Sequence, residues 1–129
     1  MVAGGYVLDP KVTRDASIAD VVGERPVGLP SHYAAINLNW QTPAKGFSLD
    51  VSLAHRGHEA ATADNLVYLP PHVELDPGAR YQFKLAHHAA TLRVSVNNAL
   101  DDRYLTLAGP GVYGQQQRLY ADGYLAVDW

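Results

Sequence analysis

Six histidines are the residues best suited to chemistry in this 129-residue chain, because imidazole binds metal ions and exchanges protons near neutral pH. They are His32, His55, His58, His72, His87 and His88. His55 and His58 are spaced like a metal-binding pair. Because side chains alternate along a strand, however, they are predicted to point to opposite faces and would chelate only from a loop. The chain has no cysteine and so no thiolate ligand. We expect no metal site and no cofactor, and interpret the histidines as solvated turn and rim residues.

The acidic and glycine-rich segments carry no recognisable active-site pattern. Asp101 and Asp102 are adjacent and are predicted to point apart, which does not suit the paired acids of glycoside hydrolysis. The segment from Ala108 to Gly114 is rich in glycine but lacks the lysine and the strand-to-helix context of a phosphate-binding loop. No nucleophile elbow and no H-E-x-x-H pattern occurs. The sequence therefore predicts that the chain is not an enzyme.

Length and charge narrow the class of protein. A chain of 129 residues suits one folded unit, so residues 1–129 are treated as a single unit. The net charge is −3 and the ten Lys and Arg residues are dispersed, which argues against a nucleic-acid partner. The N-terminus lacks the basic start and apolar run of a signal peptide. No run approaches the roughly 18 to 20 apolar residues of a membrane helix, whereas a membrane β-barrel stays possible because its strands alternate.

Apolar and polar side chains alternate with a period of two, which predicts about six strands. In SHYAAINLNWQ the apolar face holds Ala34, Ile36, Leu38 and Trp40. The other predicted strands are a weaker first one with Tyr6, Leu8 and Val12, and the stretches GFSLDVSLAHR, HVELDPGARYQFKL, TLRVSVN and LYADGYLAVDW. Pro77 and Gly78 predict a bulge or an irregular stretch in the fourth strand. The helix-like stretch DASIADVVGE is short, and we expect at most a turn or two there.

Long and short connections alternate between these strands. The long ones cover residues 15–31, 57–71 and 105–116, and the short ones are TPAKG and AHHAA. In an antiparallel meander this sends all long loops to one edge, which is the layout of outer-membrane barrels. The predicted fold class is thus an all-β, antiparallel up-and-down meander of about six strands, either part of a larger transmembrane β-barrel or self-associating.

Two other kinds of protein fit the same strands. A soluble small β-barrel or sandwich that binds an apolar ligand shows the same alternation, because one face of each strand meets a core and the other meets water. An interaction module that offers its sheet edges to a partner strand is the other possibility.

The stretches VGERPVGLPSHYAAINLNW and LRVSVNNALDDRY, together with the last residue Trp129, resemble the C-terminal barrel of TonB-dependent outer-membrane receptors of the siderophore type. The pattern G-x-x-P-x-x-x-P-x-H, which approaches a strand in that family, is matched by Gly23, Pro26, Pro30 and His32. The family's V-N-N-L-F-D-x-x-Y run before the closing strand is matched by Val96, Asn97, Asn98, Leu100, Asp101 and Tyr104, and its terminal aromatic residue by Trp129. Ala99 and Leu100 depart from the usual Leu-Phe pair, and Ser95 stands where asparagine is common.

These motif residues also have local physical roles. Asn97 and Asn98 suit a strand that changes course, because asparagine tolerates left-handed backbone and satisfies nearby amides. Asp101 and Arg103 are predicted to pair, and an exposed pair of this kind adds little stability. Trp129 ends the apolar face of the last strand, where the aromatic girdle of a barrel lies.

The resemblance implies a parent receptor with a barrel of about 22 strands, a plug and a TonB-contacting segment in the bacterial outer membrane. Such a parent imports a scarce ligand, for example a ferric siderophore, a cobamide or a carbohydrate. Six strands are fewer than the roughly eight of the smallest barrels, so the chain would be a C-terminal portion that transports nothing alone.

The partners implied by the resemblance are the missing strands and plug, outer-membrane lipid and, through the open sheet edges, a second copy. TonB would be reached only through the absent N-terminal part. The long loops would face outwards, and the lumen would be lined by Arg80, Gln82, Lys84 and Arg93. The ligand-binding residues stay unassigned.

Overall fold

A computed structural model describes residues 2–4, 7–13, 25–109, 112–116 and 118–128. Tyr6, Trp129 and the whole helix-like stretch, which includes Gly23, lie outside these ranges. Within them the chain forms eleven strands, and no helix is long and apolar enough to cross a membrane. The strands are β1 (Val2–Gly4), β2 (Val7–Leu8), β3 (Tyr33–Gln41), β4 (Phe47–Arg56), β5 (Glu59–Ala60), β6 (Tyr68–Leu69), β7 (His72–Leu85), β8 (His88–Asn97), β9 (Leu105–Gly109), β10 (Val112–Gln115) and β11 (Tyr120–Val127).

The main sheet contains seven strands in the order β1-β3-β4-β7-β8-β11, with β2 also pairing with β3. All of its pairings are antiparallel. Strands β3, β4, β7, β8 and β11 lie side by side in the sheet in the same order as they follow one another along the chain, with only the β5–β6 and β9–β10 hairpins between them. This arrangement confirms the predicted all-β, antiparallel meander. The sheet is not closed, so β11 ends it on one side and β1 and β2 end it on the other.

Two features of the strand prediction were wrong in detail. The first strand was placed on Tyr6, Leu8 and Val12, but the structure has two short strands, β1 and β2, and no strand after Leu8 up to residue 13. Pro10 lacks the N–H that a continuing ladder needs. The irregularity expected at Pro77 and Gly78 is also absent, because the register between β4 and β7 runs unbroken from Phe47 to Arg56.

Proline is tolerated within β7 for a physical reason. Pairing between β7 and β8 begins at Gly78, opposite Ser95, so Pro77 lies where β7 has a strand partner on the β4 side only. Proline is found at such positions because its missing N–H breaks no ladder bond on the unpaired side.

The register builds two continuous faces, because residues directly opposite one another share a face. One face, called the apolar face below, runs through Ile36, Leu53 and Leu75, and through Tyr81, Leu92 and Leu125. The other, called the polar face, runs through Asn37, Ser52 and Asp76, and through Gln82, Thr91 and Ala126. The alternation read from the sequence is therefore realised across β3, β4, β7, β8 and β11.

The apolar face has no second layer of described residues packed against it. Ile36 and Trp40 are each 50% exposed, and Leu125 is 54% exposed. The buried apolar residues in the described part are mostly small and lie at scattered places: Ala35, Ala54, Ala60, Ala61, Leu69, Ala90 and Tyr104. The strands thus form a single-layer sheet that presents large apolar side chains outwards.

The long connections meet at one edge of the sheet, called the long-loop edge below. Residues 57–71 contain the β5–β6 hairpin, and the connection from β8 to β11 contains the β9–β10 hairpin. Asn65 ties two of these loops together, because its Oδ1 accepts from the Arg25 N–H at 3.0 Å and its Nδ2 donates to the Arg25 carbonyl at 3.1 Å. The opposite edge carries the short turns at residues 42–46 and 86–87.

Candidate functional site

A polar cavity of about 310 Å³ lies on the polar face at the long-loop edge. It is called the long-loop pocket below. Its walls come from β4, β5, β7, β9 and the loops around them: Gly28, Arg56, Glu59, His72, Glu74, Tyr104, Leu105, Thr106, Leu107 and Gln116. The meander brings these separate stretches together because β4 ends and β7 begins at the same edge.

The strand register determines which polar residues form the floor of the pocket. Arg56 is the last residue of β4 and is directly opposite His72, the first residue of β7. Glu74 follows two positions later and therefore shares their face. The Arg56 guanidinium lies 4.8 Å from the centre of the Tyr33 ring, on the neighbouring strand β3, and this cation–π contact fixes its position.

His72 is buried beneath the ring of Tyr104. The two rings are stacked, with centroids 3.4 Å apart and an interplanar angle of 12°. His72 is only 8% exposed, and neither ring nitrogen has a hydrogen-bond partner of normal geometry. The prediction that the histidines are solvated turn and rim residues was therefore wrong for His72, because the Tyr104 ring covers it.

Glu74 holds both ends of the β9–β10 hairpin. Its Oε1 accepts a short hydrogen bond from the Tyr104 hydroxyl, just before β9, and a 3.1 Å bond from Gln116 Nε2, just after β10. The Gln116 N–H also donates to the Tyr104 carbonyl at 3.1 Å. Burial raises the pKa of Tyr104, and the bond to the Glu74 carboxylate raises it further, so the phenol stays protonated and donates. One carboxylate thus fixes the hairpin that walls the pocket.

Glu59 approaches the pocket from the β5–β6 hairpin. Burial raises the pKa of its carboxyl, and the positive charge of Arg56 opposes that shift. No ion pair joins Glu59 to Arg56 among the described residues. The pocket therefore holds a cation and a carboxylate that do not pair with each other.

The predicted motif residues after β8 shape the loop that delivers Tyr104. Asn98 is buried and has φ of 51°, which is the left-handed backbone that the asparagine pair was predicted to accommodate. Its side chain donates to the Asp102 carbonyl at 2.9 Å and accepts from the Asp102 N–H at 3.0 Å. Its own N–H donates to Asp76 Oδ1 at 2.8 Å, which ties the loop to β7.

Asp101 joins this loop to the start of the last strand. It also has a left-handed backbone, with φ of 48°. Its Oδ1 accepts from the Leu119 N–H at 3.2 Å, and its Oδ2 lies 3.6 Å from Arg103, the predicted partner, and 3.5 Å from Arg118. The Leu119 bond and the Arg118 contact lower the pKa of Asp101.

The remaining motif residues lie elsewhere or outside the described structure. Asn97 ends β8, and its Nδ2 donates to Asp122 Oδ1 at 2.8 Å. Pro26 lies in the turn before β3, and Pro30 forms an isolated bridge with Glu59. Gly23 and Trp129 lie outside the described residues. Among the motif residues that the structure describes, Tyr104 alone lines the long-loop pocket.

The described histidines lie at separate places in the fold rather than together as metal ligands. His55 lies on the apolar face, opposite Ala34, and its ring stacks on His32 with centroids 5.0 Å apart. His58 lies beyond the end of β4, with Nδ1 3.3 Å from the Ser31 hydroxyl. In the described ranges, no group of three or more His, Cys, Asp or Glu residues has an arrangement that could hold a metal ion.

The residues predicted to line a lumen all lie on the polar face. They are Arg80, Gln82, Lys84 and Arg93. Arg93 pairs with Asp50 at 3.0 Å, across the strand between them. Gly78 permits this pair, because a Cβ at that position would lie 2.6 Å from Asp50 Oδ2. Arg80 and Gln82 line a separate polar cavity at the short-turn edge.

The pocket residues Arg56, Glu59, His72 and Glu74 were not predicted as a site. Strand parity gave a partial signal, because it put Arg56 and Glu74 on polar faces. The missing information was the register that sets Arg56 beside His72, 16 positions along the chain.

Comparison with protein-family models and with curated proteins finds no match. Among solved structures, the crystal structure of BauA, the ferric preacinetobactin receptor from Acinetobacter baumannii, is similar, with a TM-score of 0.73 and 24% sequence identity. The match covers 94% of this chain and 18% of the receptor chain. The chain therefore has the fold of a segment of that receptor and spans less than a fifth of its length.

Proposed function

We propose that this chain forms part of the barrel wall of a TonB-dependent outer-membrane receptor that imports a scarce ligand such as a ferric siderophore. The observation that carries the proposal is the exposed apolar face on a sheet with the fold of a siderophore-receptor segment. A single-layer sheet with large apolar side chains on one side and charged ones on the other suits a wall between lipid and a polar lumen.

The open edges support a role within a larger assembly. Both ends of the sheet present strands with one partner, and unpaired strand edges recruit other strands. In the proposed receptor these edges pair with the remaining barrel strands, the polar face surrounds a plug, and the long-loop edge faces outwards. TonB acts through another part of the receptor. The wall has no catalytic role, and it transports nothing by itself.

Detergent dependence tests the proposal. Light-scattering mass and circular dichroism are measured on one sample, with and without detergent. We expect a folded β-rich protein that stays monodisperse only in detergent or that self-associates without it, because the apolar face needs a cover. A folded monomer in detergent-free buffer over a wide concentration range would contradict the proposal and favour a small soluble β-domain.

A further inference from the structure

The long-loop pocket contains two charged side chains that form no ion pair among the described residues. Arg56 contacts the Tyr33 ring but forms no ion pair in the described structure. Glu59 is partly buried and likewise lacks an ion-pair partner there. His72 also lines the pocket, but its ring is covered by Tyr104 and its nitrogens are buried, so it does not offer a direct polar contact to a ligand.

These groups differ from the other polar residues of the pocket. Glu74 is committed to the hairpin through Tyr104 and Gln116. The Thr106 hydroxyl donates to the Gly114 carbonyl at 3.3 Å and is used within the hairpin. Apart from Glu74, the charged groups of the pocket without an ion-pair partner in the described structure are therefore one cation and one carboxylate, and both line the same cavity of about 310 Å³.

Charge complementarity limits the kinds of ligand that the long-loop pocket can bind. A simple anion would satisfy Arg56 and be repelled by Glu59, and a simple cation would meet the reverse situation. A molecule with both charges satisfies both side chains. The rest of the wall includes Leu105 and Leu107, which offer apolar contact.

We propose that the long-loop pocket binds a small zwitterion of the amino-acid type. Its carboxylate lies against Arg56, its ammonium against Glu59 and its apolar side chain against Leu105 and Leu107. The site is formed by this chain's own residues, so the inference goes beyond the proposed barrel role and does not depend on it.

Three matched ligands test the charge requirement without altering the protein. Calorimetric titration of the full chain in detergent micelles uses L-leucine, 4-methylpentanoate, which lacks the ammonium, and 3-methylbutylamine, which lacks the carboxylate. We expect L-leucine to bind and each analogue to bind roughly tenfold more weakly, because each loses a charged hydrogen bond. Equal binding by either analogue, or no heat from L-leucine at millimolar concentration, would overturn the proposal.

Two variants locate the site. Arg56→Gln and Glu59→Gln should each weaken L-leucine binding roughly tenfold. Arg80→Gln makes the same change on the same face but outside the pocket, and should leave binding unchanged.

The ring ¹⁵N resonances of His72, which lines the pocket, should shift when L-leucine is added to the unaltered chain. Unshifted His72 resonances, or Arg56→Gln binding as well as Arg80→Gln, would also overturn the proposal, and neither result bears on detergent dependence.

Discussion

Glu74 shows how one side chain can organise a site that the strands only outline. The sheet fixes its position on β7, while the two hydrogen bonds it accepts come from either end of the β9–β10 hairpin. The Glu74 carboxylate therefore fixes the wall of the long-loop pocket together with the stacking of Tyr104 on His72 and the Gln116 N–H bond to the Tyr104 carbonyl.

The substitution Glu74→Gln tests this role. It removes the charge that Tyr104 and Gln116 share, so we expect a loss of about 1–3 kcal/mol in the free energy of unfolding. The pKa of Tyr104 should fall towards its ordinary value, because the Glu74 bond and charge both raise it. Chemical denaturation and a ¹³C-detected titration of the Tyr104 ring measure the two effects.

Asp122→Asn is the matched control for that experiment. Asp122 is an exposed carboxylate on the polar face, and it accepts bonds from Ser95 and Asn97. It does not contact the hairpin in the described structure, so the Tyr104 titration should be unchanged. An unchanged Tyr104 pKa in Glu74→Gln would show that the carboxylate does not hold the hairpin.

Asn98 combines a left-handed backbone with two side-chain bonds to Asp102. Asn98→Ala loses both bonds and keeps a Cβ where φ is positive, so we expect it to destabilise the fold by about 2–4 kcal/mol. Asn98→Gly loses the same bonds without the steric cost and should be about 1 kcal/mol less damaging. Urea unfolding in detergent compares the pair, and equal losses would rule out backbone strain at this position.

At the scale of elements, the turn between β7 and β8 is built from residues that do not favour it. Ala86 and His87 have φ of 48° and 77°, as two-residue hairpin turns require, and Asn-Gly is the preferred pair at such positions. Changing both, Ala86→Asn with His87→Gly, should stabilise the fold by about 1–2 kcal/mol, as measured by thermal or urea unfolding.

A change in the other short turn provides the contrast for that prediction. Ala44→Gly alters a turn residue whose φ is not positive, so it should bring no stabilisation. If the two turns responded alike, strain at Ala86 and His87 would not be the cause.

The elements that the sequence predicted are those with long alternating patterns. Strands β3, β4, β7, β8 and β11 could be recognised because each repeats the period of two over eight or more residues. The β5–β6 hairpin has strands of two residues, which are too short to show a period. The pocket could not be predicted because it depends on which strand ends meet and on Glu74 reaching two loop residues.

At the scale of the molecule, the sheet has two different faces and two open edges. A soluble domain of this size normally buries its large apolar side chains, whereas here Ile36, Trp40 and Leu125 are half-exposed. We propose that the apolar face meets lipid. Charged pairs such as Arg93 and Asp50 lie on the opposite face.

Fluorescence quenching by brominated lipid tests that claim most directly. Trp129→Phe leaves Trp40 as the one tryptophan of the chain, and the variant is reconstituted into vesicles with bromine atoms at defined acyl-chain depths. The control adds Asn39→Trp and Trp40→Phe, which moves the indole by one residue onto the polar face. We predict strong quenching of Trp40 and little quenching in the control. Equal quenching of both, or none of Trp40, would contradict the account.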